Sequence, residues 1–266
     1  MKGWVVYDSE GAKRNAWFVE KLLTELRSLG LSVEKKIFNC PMPTTVFPDF
    51  AIVRTMNTQI SEWLDGNGVR VFNNPMTAKI ACDKWQTYLF CKQNEIPVLE
   101  TRLIEGDLPP FDFPFVVKSR DGHGGSEVYL CGEKASWDSL LSKIDRARFI
   151  AQPLCDEVGK DMRVYMLGGK VLAAMLRSSH TDFRSNFSLG GRATKAKVDD
   201  SQKRILAKVN ALISPDFCGV DFIRHNGEWI LNEIEDPVGT RMLYEHTDID
   251  AAQAYVRHIY DKLVNN

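Results

Sequence analysis

Several common catalytic signatures are missing from this 266-residue chain. There is no C-x-x-C pair: Cys40, Cys82, Cys91, Cys131, Cys155 and Cys218 stand singly, mostly in apolar segments. That spread argues against a disulfide frame or a zinc site and gives an expectation of reduced thiols in a cytoplasmic protein. The five histidines form no H-E-x-x-H or similar cluster. G-x-S-x-G is absent, which disfavours a serine hydrolase. So are G-x-x-x-x-G-K-[ST] and G-x-G-x-x-G, which removes the P-loop and dinucleotide-binding motifs. An excess of one charge is also missing, with 34 basic against 35 acidic residues and a net charge of −1. A nucleic-acid partner is therefore not expected. No apolar run approaches the roughly 20 residues of a membrane span, so no membrane partner is expected either. The apolar part of Met1 to Asp8 is too short for a signal peptide and reads as a first strand.

What is present is ordinary globular composition, 44% hydrophobic and 26% charged, in a length that suits one large domain or two to three small ones. Over the first seventy residues strands alternate with helices: a strand at Trp4–Tyr7, an amphipathic helix over Ala16–Leu29 ended by Gly30, a buried strand at Phe50–Val53, a short helix around Ile60–Leu64, and a strand at Val69–Phe72. That order predicts a parallel sheet. Asn73-Asn74-Pro75 marks a boundary, Pro75 suits a helix first turn, and Asp83 can cap a second helix to about Asn94. From Phe113 the texture changes to strand hairpins, at Phe115–Leu130 and Arg163–Leu176, with helices over Trp137–Ile144, Gln202–Leu212 and Ala251–Leu263.

The most informative segment lies near the end. Gly219-Val220-Asp221-Phe222-Ile223 and Gly227-Glu228-Trp229-Ile230-Leu231-Asn232-Glu233-Ile234-Glu235 are apolar strand-like runs joined by the turn-forming His225-Asn226-Gly227. Glu233 and Glu235 are two apart and share one strand face. If the runs pair as a hairpin, Asp221 falls opposite them. Converging carboxylates repel unless a cation sits between them, and an oxygen-only ligand set suits a hard ion such as Mg2+.

Three further features point the same way. Gly122-His123-Gly124-Gly125-Ser126 is a glycine-rich turn between strands whose amides can approach a phosphate. Lys118 ends the apolar strand before it, and a lysine there needs a partner. Arg163, Arg177 and Arg184 surround the Gly168-Gly169 hairpin, and their forked donors match phosphate or carboxylate oxygens.

Taken in order, these pieces resemble the ATP-grasp superfamily, in particular the RimK-like amino-acid ligases, which are related to glutathione synthetase. The likeness covers nearly the whole chain and is tightest from Asn73 to Gly239. It implies an α/β (α+β) ATP-grasp fold in three parts: a Rossmann-like N-terminal domain over 1–74, a central subdomain with the glycine loop over 75–150, and a C-terminal subdomain with the metal site over 151–266. Lys84 and Lys118 match the lysines that contact ATP phosphates, and Gly122, Gly124, Gly125 and Ser126 the loop above them. Gln152-Pro153-Leu154 matches the hinge that receives adenine, Asp161 an acid beside the nucleotide, and Arg184-Ser185-Asn186 the family's Arg-Ser-Asn segment. Arg163 and Arg184 are the implied catalytic pair, stabilising the transferred phosphoryl group. Arg54, Arg177 and Arg241 are assigned to the substrate. Asp221, Glu233 and Glu235 are assigned to Mg2+, or Mn2+ in its place.

The resemblance further implies a carboxylate–amine ligase that works through an acyl phosphate. Its acceptor would be an amino acid, a peptide or a protein tail, and family members often self-associate. Replacing Asp221 or Glu233 with Ala is expected to abolish turnover and leave the fold. The sequence departs from the pattern at one point, since Glu235 stands where the family usually has Asn. That departure motivates an alternative, an ATP-binding regulatory or assembly module of the same fold without ligase turnover.

Overall fold

The computed structural model describes residues 1–125, 127–179, 182–184 and 191–265. The expected site residues Ser126, Ser185 and Asn186 lie outside them. The described elements form three sheets. In the first, β1 (Lys2–Tyr7), β2 (Ser32–Ile37), β3 (Phe50–Val53) and β4 (Arg70–Phe72) run parallel in the order β2-β1-β3-β4. One face carries α1 (Ser9–Arg14) and α2 (Ala16–Ser28), and α3 (Thr58–Gly66) lies on the other. Strand β3 is buried at every residue, as its unbroken apolar run requires.

After β4, Asn74 accepts a hydrogen bond from the Thr77 amide (2.9 Å) and Pro75 opens α4 (Pro75–Ala81). Asp83 accepts from the Trp85 amide (2.8 Å) and caps α5 (Lys84–Gln93). The second sheet is antiparallel, ordered β5-β8-β6-β7, from β5 (Arg102–Leu103), β6 (Phe115–Ser119), β7 (Val128–Cys131) and β8 (Phe149–Pro153). Its core is Trp137 of α6 (Lys134–Leu141) packed on Phe115, Val117 and Phe149. This helix starts three residues before the sequence predicts, because Glu133 and Ser136 form a capping box.

The third sheet is ordered β11-β10-β9-β12-β13, from β9 (Lys160–Leu167), β10 (Lys170–Ser178), β11 (Arg192–Lys195), β12 (Phe217–His225) and β13 (Glu228–Glu235), all antiparallel. Asn226 and Gly227 both take positive φ (51° and 76°), the two-residue hairpin geometry that an Asn-Gly pair favours. Strand alternation gives this sheet two unlike faces. Met162, Val164, Met166, Cys218, Val220, Phe222 and Ile234 face α7 (Asp200–Ile213), α4 and α5, and form the apolar core. Asp161, Arg163, Gly219, Asp221, Glu233 and Glu235 occupy the alternate positions on the opposite face.

The remaining helices are α8 (Arg241–His246) and α9 (Ala251–Val264). The latter packs beside α2 in the core of the first sheet, where Tyr255 and Val256 meet Phe18, Leu22 and Leu26. Among the described residues no helix is long and apolar enough to cross a membrane. A second tie between the first and third sheets is the buried Asn73, which accepts from the Phe217 amide (2.9 Å) and donates to the Phe217 carbonyl (2.8 Å).

Asp236, just after β13, is buried beside Asn73. Burial pushes its carboxyl from 3.8 to about 7, partly offset by the Asn73 amide and the Arg54 charge. An acid raised in the folded state costs nothing below its unfolded value. It then lowers stability progressively as pH rises from about 4 to about 7, because only the unfolded chain releases the proton. The stability of Asp236→Asn relative to wild type should therefore improve between pH 5 and pH 8 in denaturant titrations. A difference independent of pH would refute this.

Candidate active site

The chemistry-bearing face of the third sheet is organised by register. On β9, β12 and β13 the residues Arg163, Asp221 and Glu233 sit side by side, and on β10 and β9 Arg177 sits beside Asp161. Asp221 is fully buried, and both its oxygens are occupied. Oδ1 accepts from Arg163 Nε (2.8 Å), and Oδ2 accepts from a terminal nitrogen of Arg163 and one of Arg177 (2.7 Å each). Arg177 Nε also donates to Asp161 (2.6 Å), and Arg163 reaches Glu235 as well. Burial alone raises the Asp221 pKa, but the two guanidiniums outweigh it and hold the carboxyl at about 2. Glu235 pairs directly with Arg163 alone and has Asp221 and Glu233 as acidic neighbours; burial dominates there and pushes its carboxyl up to about 7.

Beside Asp221 the ladder slips. Asp221 faces Glu233 and Phe222 faces Leu231, which leaves Asn232 as an extra residue in β13. This bulge turns Asn232 and Glu233 toward the same cavity. Asn232 Oδ1 accepts from Lys118 Nζ (3.1 Å), and Glu233 pairs with Lys84 (3.3 Å). Burial opposes ionisation of Glu233, but Lys84 and Lys118 bring its pKa below the usual range. Burial lowers the Lys118 ammonium to about 8, and the charge of Glu233, its main counter-charge, offsets this only in part.

The cavity lies between the second and third sheets and is open to solvent. Eleven residues selected from the sequence line it: Lys84, Lys118, Gly122, Gly124, Gly125, Gln152, Pro153, Leu154, Asp161, Arg184 and Glu233. Its apolar lining includes Leu99, Val116, Ile223, Val158 and Phe183, none of them selected from the sequence as a site residue. Asn232 was also missed; its only signal is a polar residue inside an apolar run. The glycine loop is clasped from three sides: Lys84 donates to the Gly122 carbonyl, Arg184 to the Gly125 carbonyl (2.8 Å), and Arg14 meets His123 (2.9 Å). Gly124 and Gly125 have φ of 68° and 77°, conformations that a side chain would strain.

Asp221 and Glu235 lie outside the cavity lining, yet one oxygen of each lies within 4.8 Å of one from Glu233. The three carboxylates supply only oxygen donors, which fits a hard divalent cation. The other sequence-selected arginines are placed differently. Arg163 and Arg177 are buried in the carboxylate network. Arg54 is buried at the end of β3, donating to the Tyr7 hydroxyl (2.9 Å) and the Val238 carbonyl (2.7 Å). Arg241 is exposed at the start of α8, with no ion pair among the described residues.

Comparison with known proteins places this arrangement. A family model described as a RimK-like ATP-grasp domain matches residues 81–259. N-acetylaspartylglutamate synthase A of Mus musculus is 27% identical over 89% of this chain, and the chain spans just under two thirds of that relative, 66% of its length. A probable alpha-L-glutamate ligase of Haemophilus influenzae is 26% identical, over 80% of this chain and 74% of the relative. Among solved structures, a D-cycloserine synthetase superposes with a TM-score of 0.75, covering 99% of this chain and all of the other at 16% identity, which is a likeness of fold. On these grounds the chain has the ATP-grasp fold and belongs to the RimK-like ATP-grasp family.

Proposed function

We propose that this chain is an ATP-dependent carboxylate–amine ligase acting through an acyl phosphate. The observation that carries this reading is the convergence of Lys84, Lys118, the glycine loop and Glu233 on one cavity, with Asp221 and Glu235 beside Glu233. Val116, Ile223 and the Gln152–Leu154 backbone would hold the adenine, and Asp161 would lie beside the nucleotide. Lys84 and Lys118 would meet the phosphates under the loop, whose amides complete the cradle. Asp221, Glu233 and Glu235 would hold Mg2+, or Mn2+, which when bound offsets phosphate charge.

In the first step a substrate carboxylate oxygen attacks the γ-phosphorus and ADP leaves, giving the acyl phosphate. The amine nitrogen then attacks the acyl carbon, phosphate departs, and the nitrogen loses a proton to form the amide. Arg163 would face the charge that develops on the transferred group, with Arg184 at the loop side. The clasped loop would keep water from the acyl phosphate. The N-terminal α/β part would select the acceptor. Two relatives carry glutamate in their names, which supports glutamate as the first amine to try.

Glu233 and Asp221 are not equivalent as probes. Glu233 is half-buried at the cavity wall, so Glu233→Gln should keep the fold and lower Mg2+-dependent ADP release by about 100-fold or more. Removing the Asp221 charge leaves Arg163 and Arg177 with one acidic partner each and donors left unmatched in a buried site, and Asp221→Asn should cost about 1–3 kcal/mol of stability as well as activity. The sequence-based expectation that Asp221 could be removed with the fold intact is thus revised. Full activity in Glu233→Gln would refute the metal role.

Product analysis tests the reaction itself. With ATP, Mg2+ and pooled amino acids and short peptides, mass spectrometry should show a product equal to acid plus amine minus water, together with ADP. Hydroxylamine in place of the amine should yield a hydroxamate. Tight ATP binding with neither product would favour the alternative, a nucleotide-binding module whose acids are already neutralised by Arg163 and Arg177.

A further inference from the structure

We infer that Arg54 is a positioning residue for the carboxylate cluster and does not contact the acceptor. The inference rests on the metal-binding reading of Asp221, Glu233 and Glu235. Arg54 belongs to the first sheet, yet its guanidinium crosses to the segment that leaves β13. One terminal nitrogen donates to the Val238 carbonyl (2.7 Å), Nε is anchored on the Tyr7 hydroxyl (2.9 Å), and the Phe18 ring lies 5.0 Å from Cζ. Only 7% of the residue is exposed, which leaves little surface for a substrate.

Val238 is a sensitive point to hold. It is fully buried, three residues past Glu235. A Cβ built on Gly219 would lie 2.8 Å from a Val238 methyl and 3.6 Å from Arg163 Cδ and Nε. Gly219 is the residue that faces Glu235 across the β12–β13 ladder. Val238 therefore wedges against the residue opposite Glu235 and beside the arginine that orients both Asp221 and Glu235. The flanking carbonyls are pinned from two other places: Asp236 by Cys82 Sγ (3.0 Å) and Gly239 by the Tyr165 hydroxyl (3.0 Å). Of these three tethers, only Arg54 comes from the first sheet. Outer groups that orient ligands typically change metal affinity by about 10–100-fold when removed.

The test uses the whole chain with Mn2+ and ADP as probes. ADP affinity is measured in EDTA, and Mn2+ affinity in the ADP complex by electron paramagnetic resonance, for wild type, Arg54→Lys, Arg54→Met and Tyr7→Phe. The expected result is a Mn2+ affinity lower by about tenfold in both Arg54 variants, a smaller loss in Tyr7→Phe, and an ADP affinity equal to wild type. Unchanged Mn2+ affinity in the Arg54 variants would overturn the inference and return Arg54 to the substrate side. A parallel fall in ADP affinity, Mn2+ affinity and thermal stability in all three variants would also overturn it, as general loosening of the fold. Wild type that binds ADP without Mn2+ would instead overturn the metal reading on which it rests.

Discussion

The architecture depends on one buried carboxylate. Asp221 has no exposed surface, and its ionised form exists there because Arg163 forks onto it and Arg177 adds a third donor. Each arginine needs a second acid, and Glu235 and Asp161 supply them. Glu233 completes the set against Lys84 and Lys118. Four acids thus stand against four cations. A cluster this buried is tolerable only when every charge has a partner, because desolvation of an unpaired ion costs several kcal/mol. The constraint explains why the same sheet face that would carry the metal also carries two buried arginines.

It also explains how one sheet serves as both core and candidate active site. Alternation along β9, β12 and β13 sends every second residue to the α4, α5 and α7 side, where the apolar cluster supplies cohesion. The other face is then free to hold charge. Glycine at position 219 belongs to this logic, since any larger residue there would collide with Val238 beside Arg163. The bulge at Asn232 adds a second polar group on the cavity side without breaking the alternation that buries Ile234.

Features written locally in the chain were legible in the sequence. The Asn226-Gly227 turn, the Asp83 cap, Pro75 at a helix start and the apolar runs of β3 and β6 each reveal themselves within a few residues, and the structure has them in place. Counting back from the turn pairs Asp221 with Asn232, and only the bulge at Asn232 brings Glu233 opposite Asp221, so the expected convergence is met through a register slip that the two-residue period does not show. Elements without a periodic signal were missed. Strand β2 reads Ser-Val-Glu-Lys-Lys-Ile and is an exposed edge, and α1 and α8 span six residues each. What the sequence could not reveal is partner choice over long separations. Arg177 meets Asp161 and Asp221, and Arg54 meets Val238, 184 positions away. An arginine that binds substrate and one that braces a loop look alike until the fold brings its partner.

The same charge balance bears on how a nucleotide would enter. Lys84 and Arg184 hold carbonyls of the glycine loop, and Lys84 also holds Glu233, so the groups suited to phosphate already have internal partners. Binding is then an exchange of partners. Phosphate oxygens would replace loop carbonyls on the cations, and a divalent ion would replace cations on the carboxylates. An exchange in which both sides stay neutralised avoids the cost of baring a buried ion at either end. A bare nucleotide would leave the acids without their cations, and a bare metal ion would leave the cations without their acids. The pairing observed in the protein therefore favours a metal–nucleotide complex over either component alone. The group common to both exchanges is Lys84, which holds Glu233 and the Gly122 carbonyl at once.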